Sequence, residues 1–263
     1  MNTLRVYSLY SGSSGNAFLI VAPSANILID AGKSARRLCQ SLAAVGLDAD
    51  DLDAILLTHE HSDHISALPV FLKNHSVPVH LPNGCVYKLE KEATVRPCLC
   101  PHPPLYSQEI GGIRVRSFAT PHDSHASVGY RLEIPMEDSA PFVLGYATDI
   151  GYVTPEIEEA LTGCRAIILE SNHDPDMLWE GPYPDYLKER IASRRGHLSN
   201  PDSAVLAARL AASGTRSLML AHLSAENNRP ELAYDECFGA IGNEDVQICI
   251  AHPEEITELP LEV

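Results

Sequence analysis

The heptapeptide Thr58-His59-Glu60-His61-Ser62-Asp63-His64 constrains this chain more than any other stretch. Its HxHxDH arrangement puts four potential ligands, His59, His61, Asp63 and His64, within six positions, directly after an apolar run at 54–57 and directly before a helical pattern at 64–73. A strand ending in such a turn can aim the alternate residues His59 and His61 into one cavity. Asp63 and His64, at the opening of the helix, can then face a second point. Imidazole with carboxylate suits Zn²⁺, Mn²⁺ or Fe. The fold must therefore bring the end of a strand to a polar, ion-binding pocket.

The remaining pattern says what kind of sheet that is. Apolar runs rich in β-branched residues recur at 4–9, 17–21, 26–30, 54–58, 113–118, 128–134, 142–147, 166–170, 217–221 and 246–250, each of strand length. Helical patterns lie at 34–45, 64–73, 155–161, 183–193, 201–212 and 230–241. Pro155, Pro201 and Pro230 fall near first-turn positions, with Thr154 and Asn200 just before two of them as caps. Strands early and alternation later imply mixed sheets flanked by helices, an α/β layered architecture. At 263 residues the chain is at the upper end of what one core supports, so 1–263 is read as one domain. The proline-rich stretch 83–112 is the least regular and reads as an excursion or flexible lobe.

Three further residues interrupt apolar strand ends: His122 after 117–121, Asp149 after 143–148 and His222 after 218–221. Strand ends are where α/β layers carry their sites. Joined to the heptapeptide, they close the count of a two-ion centre. His59, His61 and His122 hold one ion, Asp63, His64 and His222 hold the other, and Asp149 bridges them. His75, His80, His102, His125 and His252 are expected to stay outside it, and Cys98 and Cys100 to be structural.

In this order the motifs resemble the metallo-β-lactamase fold family: Asp30 in Leu28-Ile29-Asp30-Ala31-Gly32, then His59 to His64, His122, Asp149 and His222. Longer blocks resemble its YycJ-type branch, among them Ser11-Gly12-Ser13-Ser14-Gly15-Asn16, Leu169-Glu170-Ser171-Asn172-His173-Asp174, Arg195-Gly196-His197-Leu198-Ser199-Asn200 and Ala221-His222-Leu223-Ser224-Ala225-Glu226-Asn227-Asn228. The resemblance implies a four-layer αββα sandwich with a dinuclear metal site at one sheet edge. It also implies a 5′-to-3′ exonuclease on double-stranded DNA, associated with mismatch repair. A small-molecule hydrolase of phosphodiesters, lactones or thioesters is the alternative, and a metal-binding regulatory protein a further one.

Two divalent ions, Zn²⁺ or Mn²⁺ with Fe as the other option, would hold a bridging hydroxide and neutralise a phosphodiester's charge. Asp63 is expected to orient that hydroxide as well as ligate. Asp30 is expected to bond the metal loop and fix its geometry. His197 is the candidate general acid, and His173 a second catalytic candidate. Ser14, Asn16, Asn172, Arg194, Arg195 and Asn227 are the candidate substrate contacts. A net charge of −16 excludes a protein that coats nucleic acid or membrane through bulk charge. Basic residues nevertheless gather beside the site loops, at Lys33, Arg36 and Arg37 and at Lys188, Arg190, Arg194 and Arg195. DNA is thus expected to be held locally, by backbone contacts. Residues 1–10 lack a signal-peptide pattern and no run approaches a membrane span. Seven scattered cysteines, an odd number, suit reduced thiols, so a cytoplasmic setting without membrane contact is expected, and no protein partner is assigned.

Overall fold

The computed structural model describes residues 4–137 and 139–261. The expected domain 1–263 and the leader reading at 1–10 thus include positions outside the described residues. The chain opens with an antiparallel meander of β1 (Arg5–Tyr10), β2 (Ala17–Val21) and β3 (Asn26–Ile29). Helix α1 (Ala35–Ala44) begins where the Ser34 hydroxyl accepts from Arg37 N, and it returns the chain so that β4 (Ala54–Leu56) pairs parallel to β3. There follow α2 (Ser62–Ile65), α3 (Leu68–Asn74), β5 (Val79–Pro82), α4 (Val86–Leu89) and β6 (Leu99–His102). The second half runs β7 (Ser107–Ile110), β8 (Ile113–Ala119), β9 (Val128–Ile134), β10 (Phe142–Ala147), α5 (Pro155–Leu161), β11 (Ala166–Glu170), α6 (Pro175–Glu180) and α7 (Asp185–Ile191). It ends with α8 (Asn200–Ala212), β12 (Ser217–Ala221), α9 (Pro230–Ile241), β13 (Gln247–Ile250) and β14 (Thr257–Glu258).

Among the described residues these strands form two seven-stranded sheets, ordered β14-β1-β2-β3-β4-β5-β6 and β13-β12-β11-β10-β9-β8-β7. Their inner faces meet: Val6, Phe18 and Ile29 pack with Val115, Tyr130, Leu144 and Ile168. The outer face of the first sheet (Leu28, Ile55, Val79) buries Leu38 of α1 and Phe71 of α3. The outer face of the second (Ile167, Leu169, Leu218) buries Ile157 of α5, Leu206 of α8 and Cys237 of α9. Helix, sheet, sheet, helix is the four-layer αββα sandwich that the resemblance implied. In both sheets the parallel strands β3–β4 and β10–β11–β12 point their C-terminal ends the same way, which creates the edge that carries the site.

Three expectations change. The helix at 64–73 is two helices, because Pro69 takes a first-turn position and starts α3 anew. The cap of α8 is Ser199, whose hydroxyl accepts from Asp202 N, rather than Asn200. The stretch 83–112 is not a lobe, since it supplies the edge strands of both sheets. There β6 runs parallel to β5 from Val79↔Leu99 to Pro82↔His102, and β7 runs antiparallel to β8. Pro101 is tolerated because an edge strand has a side on which a missing N–H costs no ladder bond. Among the described residues no helix is long and apolar enough to cross a membrane, and all seven cysteines are free thiols.

Gly32 marks the tightest crossing in the first half. Asn16 N donates to Asp63 O at 2.8 Å and Gly32 N to Asn16 O at 2.9 Å, so three segments meet there. A Cβ on Gly32 would stand 2.0 Å from Asp63 O and 2.5 Å from Asn16 N. Gly32→Ala is expected to lower the unfolding free energy by about 3 kcal/mol, the upper part of the usual overpacking cost. The readout is a shifted denaturant midpoint at constant slope; an unshifted midpoint would mean that this crossing yields freely.

Candidate metal centre

Four residues other than glycine have positive φ in the described chain, and three of them end strands at the site edge: Asp30 (φ 61°), Asp149 (φ 59°) and His222 (φ 57°). A left-handed residue costs about 1–3 kcal/mol and persists only where its surroundings hold it. Each is held. Asp30 accepts from Thr58 N and Thr58 Oγ1. The Ser11 hydroxyl accepts from His222 N at 2.8 Å. Glu170 Oε2 accepts from Ile150 N, just beyond Asp149, at 2.8 Å. Every aliphatic side chain buried in the cores contributes about 2 kcal/mol, so the sandwich readily offsets three strained turns.

The imidazoles follow one pattern. Nδ1 of His59 meets Thr58 Oγ1 at 3.0 Å, Nδ1 of His64 meets Asp30 Oδ2 at 2.7 Å, Nδ1 of His122 meets Gly196 O at 3.0 Å and Nδ1 of His222 meets Glu170 Oε1 at 3.2 Å. With Nδ1 engaged by a second group, Nε2 is the atom left to bind an ion. His59 Nε2, His122 Nε2, His222 Nε2 and Asp149 Oδ2 are buried and make no hydrogen bond. Two atoms on one tetrahedral ion at about 2.1 Å lie roughly 3.4 Å apart. His64 Nε2 stands 3.2 Å from Asp63 Oδ2 and 3.5 Å from Asp149 Oδ2. His222 Nε2 is 3.6 Å from Asp63 Oδ2, and His122 Nε2 is 3.6 Å from Asp149 Oδ1. The structure gathers His59, His61 and His122 in one group and Asp63, His64 and His222 in another, with Asp149 within reach of His59 and His64. The donor set fits two divalent ions.

The electrostatics agree. Burial works against ionising Asp63, but His64 and His222 outweigh it and hold the carboxyl well below its usual range. Glu170 is likewise disfavoured by burial, yet His197 and His222 bring it down to about 2. His222, penalised by burial, is pushed up to about 10 by Asp149, Asp63 and Glu170. His64 rises in the same way against Asp63, Asp30 and Asp149. A binding cation takes the place of those protons.

The other candidates divide. His197 lines a cavity of about 230 Å³ beside the cluster, with Asn172, His122 and Arg190 around it, and its Nδ1 is 2.8 Å from Glu170 Oε1. Asp30 takes the place expected of it, under His64 and Thr58. Ser14 is exposed at its loop tip, and Ser13 lines the cavity instead. Asn16 is fully buried; its Oδ1 accepts from Gly12 N and its Nδ2 lies 3.3 Å from His64 Nε2, so it braces the metal loop rather than meeting a substrate. Asn227 is also fully buried, beside Ser224, and does not line the cavity. His173 is buried and does not line the cavity.

The basic segments are largely used within the chain. Lys188 Nζ donates to Trp179 O, Lys33 pairs with Glu254, and Arg37 donates to Glu254 O. Arg195 donates to His122 O at 3.2 Å, and the Arg194 guanidinium stacks 3.9 Å over Tyr152. Both line an open neighbouring cavity of about 500 Å³ that also reaches His122. Among the five bystander histidines, His75 bonds Asp50, His80 bonds His102 and His125 bonds Glu60. Two residues without an expected role turn out central: Glu170, and Asp123 directly after His122. Only the long-range contacts reveal them, and the single local signal was the unusual acid closing the apolar run 166–170.

With this geometry the class is defined: the chain belongs to the β-lactamase superfamily, whose domain model matches residues 25–223, and it is a metal-dependent hydrolase of the metallo-β-lactamase fold. In particular it is 34% identical over 244 residues to exodeoxyribonuclease WalJ of Streptococcus pneumoniae, covering 91% of this chain and 89% of that protein. It is 34% identical over 234 residues to exodeoxyribonuclease YycJ of Bacillus anthracis, covering 86% and 84%. Its fold matches that of the metallo-β-lactamase fold protein YhfI from Bacillus subtilis at a TM-score of 0.75 and 18% identity, over 97% of this chain and 99% of the other.

Burial holds the His173 ring down to about 4. A ring neutral in the fold and at 6.5 when unfolded gives stability that is complete above pH 6.5 and is lost as pH falls toward 4. The loss amounts to about 3 kcal/mol. His173→Gln is expected to flatten that part of the acid-unfolding profile while leaving turnover at neutral pH in place. An acid profile that matches the parent's would remove this assignment.

Proposed function

We propose that this hydrolase is an exonuclease that cleaves phosphodiester bonds of double-stranded DNA in the 5′-to-3′ direction, serving DNA repair in the cytoplasm. In this reading residues 1–263 act as one domain, with two divalent ions, Zn²⁺ or Mn²⁺ or else Fe, as cofactors. The observation that carries it is the cavity in which His197, Arg190 and Asn172 face a two-ion donor set. The exodeoxyribonuclease names of relatives matching about nine-tenths of the chain supply the polymer.

His59, His61 and His122 would hold one ion, Asp63, His64 and His222 the other, with Asp149 between them. When bound, such ions neutralise phosphodiester oxygens and acidify water. The rest falls to the chain. The Glu170 carboxylate can only accept, so Nδ1 of His197 carries a proton toward it and the ring is fixed in orientation. In its imidazolium form the ring carries a second proton on Nε2; it hands that proton to the leaving 3′-oxygen and is left as the neutral Nδ1–H tautomer. Asp63, held ionised, accepts a hydrogen bond from the attacking water. Arg190, its side chain 60% exposed, and the Asn172 amide contact the scissile phosphate. Arg194 and Arg195, beside the open cavity, bear on the backbone further along and carry no sequence information.

The test is Mn²⁺-supplemented protein on end-labelled duplex DNA, on RNA and on bis-p-nitrophenyl phosphate. Duplex degradation is expected, abolished in Asp149→Ala and His61→Ala. His197→Ala is expected to cost about 10²- to 10⁴-fold, the usual worth of a general acid. Turnover of the small ester with no attack on any polymer would overturn the DNA reading in favour of a small-molecule phosphodiesterase. Unchanged turnover in His197→Ala would remove the acid.

A further inference from the structure

Asp123 follows His122 directly and lines the cavity of about 230 Å³, and its two carboxylate oxygens have different fates. Oδ2 accepts from Arg190 Nε at 2.7 Å and pairs with Arg190 Nη2 at 2.5 Å. Oδ1 is buried, makes no hydrogen bond, and stands 3.2 Å from His122 Nε2 and 3.8 Å from His61 Nε2. We propose that Asp123 is an additional ligand of the ion held by His59, His61 and His122, and that Arg190 is the counter-charge that sets how much of its anionic character reaches that ion. This rests on the reading of those three histidines as ligands.

Three observations converge. First, His59 Nε2, His122 Nε2, His222 Nε2 and Asp149 Oδ2, all of the expected ligand set, are buried without a hydrogen bond, and so is Asp123 Oδ1, as is the neighbouring Ser124 Oγ. Of the two additions, Asp123 Oδ1 is the one that approaches the ring nitrogens of two expected ligands, His122 and His61. Second, its separations from the His122 and His61 nitrogens fall among those that the other donors show with one another, 3.2 to 3.7 Å, or just beyond. They bracket the roughly 3.4 Å expected of two atoms on one tetrahedral ion. Third, a buried carboxylate oxygen with no donor costs about 1–3 kcal/mol or more, a penalty that a coordinating cation removes. If Asp123 served only to anchor Arg190, nothing would require Oδ1 to be turned into the imidazole cluster.

The consequence is chemical. Without Asp123 the first ion would be held by three neutral imidazoles and a share of Asp149. An added carboxylate binds that ion more tightly and lowers its acidity, and a guanidinium on the far oxygen draws that charge back. Asp123 and Arg190 should therefore act on metal affinity with opposite sign.

The experiment is chelator competition on the Zn²⁺-loaded protein, following release of each ion optically, with a thermal melt of every variant. Asp123→Asn is expected to loosen one of the two ions by about tenfold or more, at least what losing a ligand's partner costs. Arg190→Gln is expected to tighten the same ion. Both substitutions break the ion pair, so equal effects, or unchanged retention in both, would overturn the proposal even if one variant folds poorly. His59→Ala separates the failures. If it too releases no ion, the ligand reading fails; if it releases one and Asp123→Asn does not, only the role of Asp123 fails.

Discussion

The Glu170 carboxylate is the interaction on which the second half of the site depends. It ends β11 between β10 and β12, fully buried, in register with Ala221. Its Oε1 meets Nδ1 of His197 and Nδ1 of His222; its Oε2 accepts from Ile150 N and Leu198 N. Four partners on one buried carboxylate repay a desolvation cost that would otherwise protonate it. They also tie the turn after Asp149, the strand end at His222 and the loop of His197 to a single point. Moving any one of these moves the others.

Asp30 does the same for the first sheet, through Thr58 and His64. Each sheet thus carries a buried acid behind its candidate ligands, and two short polar links join the halves. Ser11 reaches across to His222 N, and Asn16 lies against His64 and Asp63. These links explain why the turn at 11–16 is polar although it is largely buried: it aligns two sheets whose inner faces are mostly apolar and could slide without register at the edge. Dispersion and burial hold the layers together, while a handful of hydrogen bonds decides where the edges meet.

How much of this was legible in the sequence follows from the range of the forces involved. The heptapeptide, and the polar residues closing apolar runs at Asp149 and His222, are local patterns, and the structure gathers them where strand periodicity placed them. The strands β5, β6 and β7 were missed because they are short and, in β6, proline-bearing; only pairing with a neighbour makes them strands. Glu170 and Asp123 were passed over for a related reason. A carboxylate's role depends on which distant N–H groups converge on it, and no spacing along the chain encodes that. The basic residues misled in the opposite sense. Lys33, Arg37 and Lys188 look free in a linear charge count, yet they are consumed by carbonyls and by Glu254.

That consumption sharpens the electrostatic problem that the proposed DNA substrate poses for an acidic protein. Around the cluster lie Asp30, Asp63, Asp123, Asp149 and Glu170, with Arg190 the cation pairing Asp123 at the cavity. Imidazolium protons on His64 and His222 offset part of this charge, but they are buried and already engaged with the acids. A phosphodiester approaching such a pocket meets net negative potential, and no distant surface charge compensates on a chain of −16. Divalent cations invert that sign locally, since bound ions are the largest charges in such a site. On the proposed function, affinity for the substrate is therefore conditional on the ions, and the net charge that counts against nucleic acid binding would confine it to the place where bound ions neutralise the chain's own carboxylates.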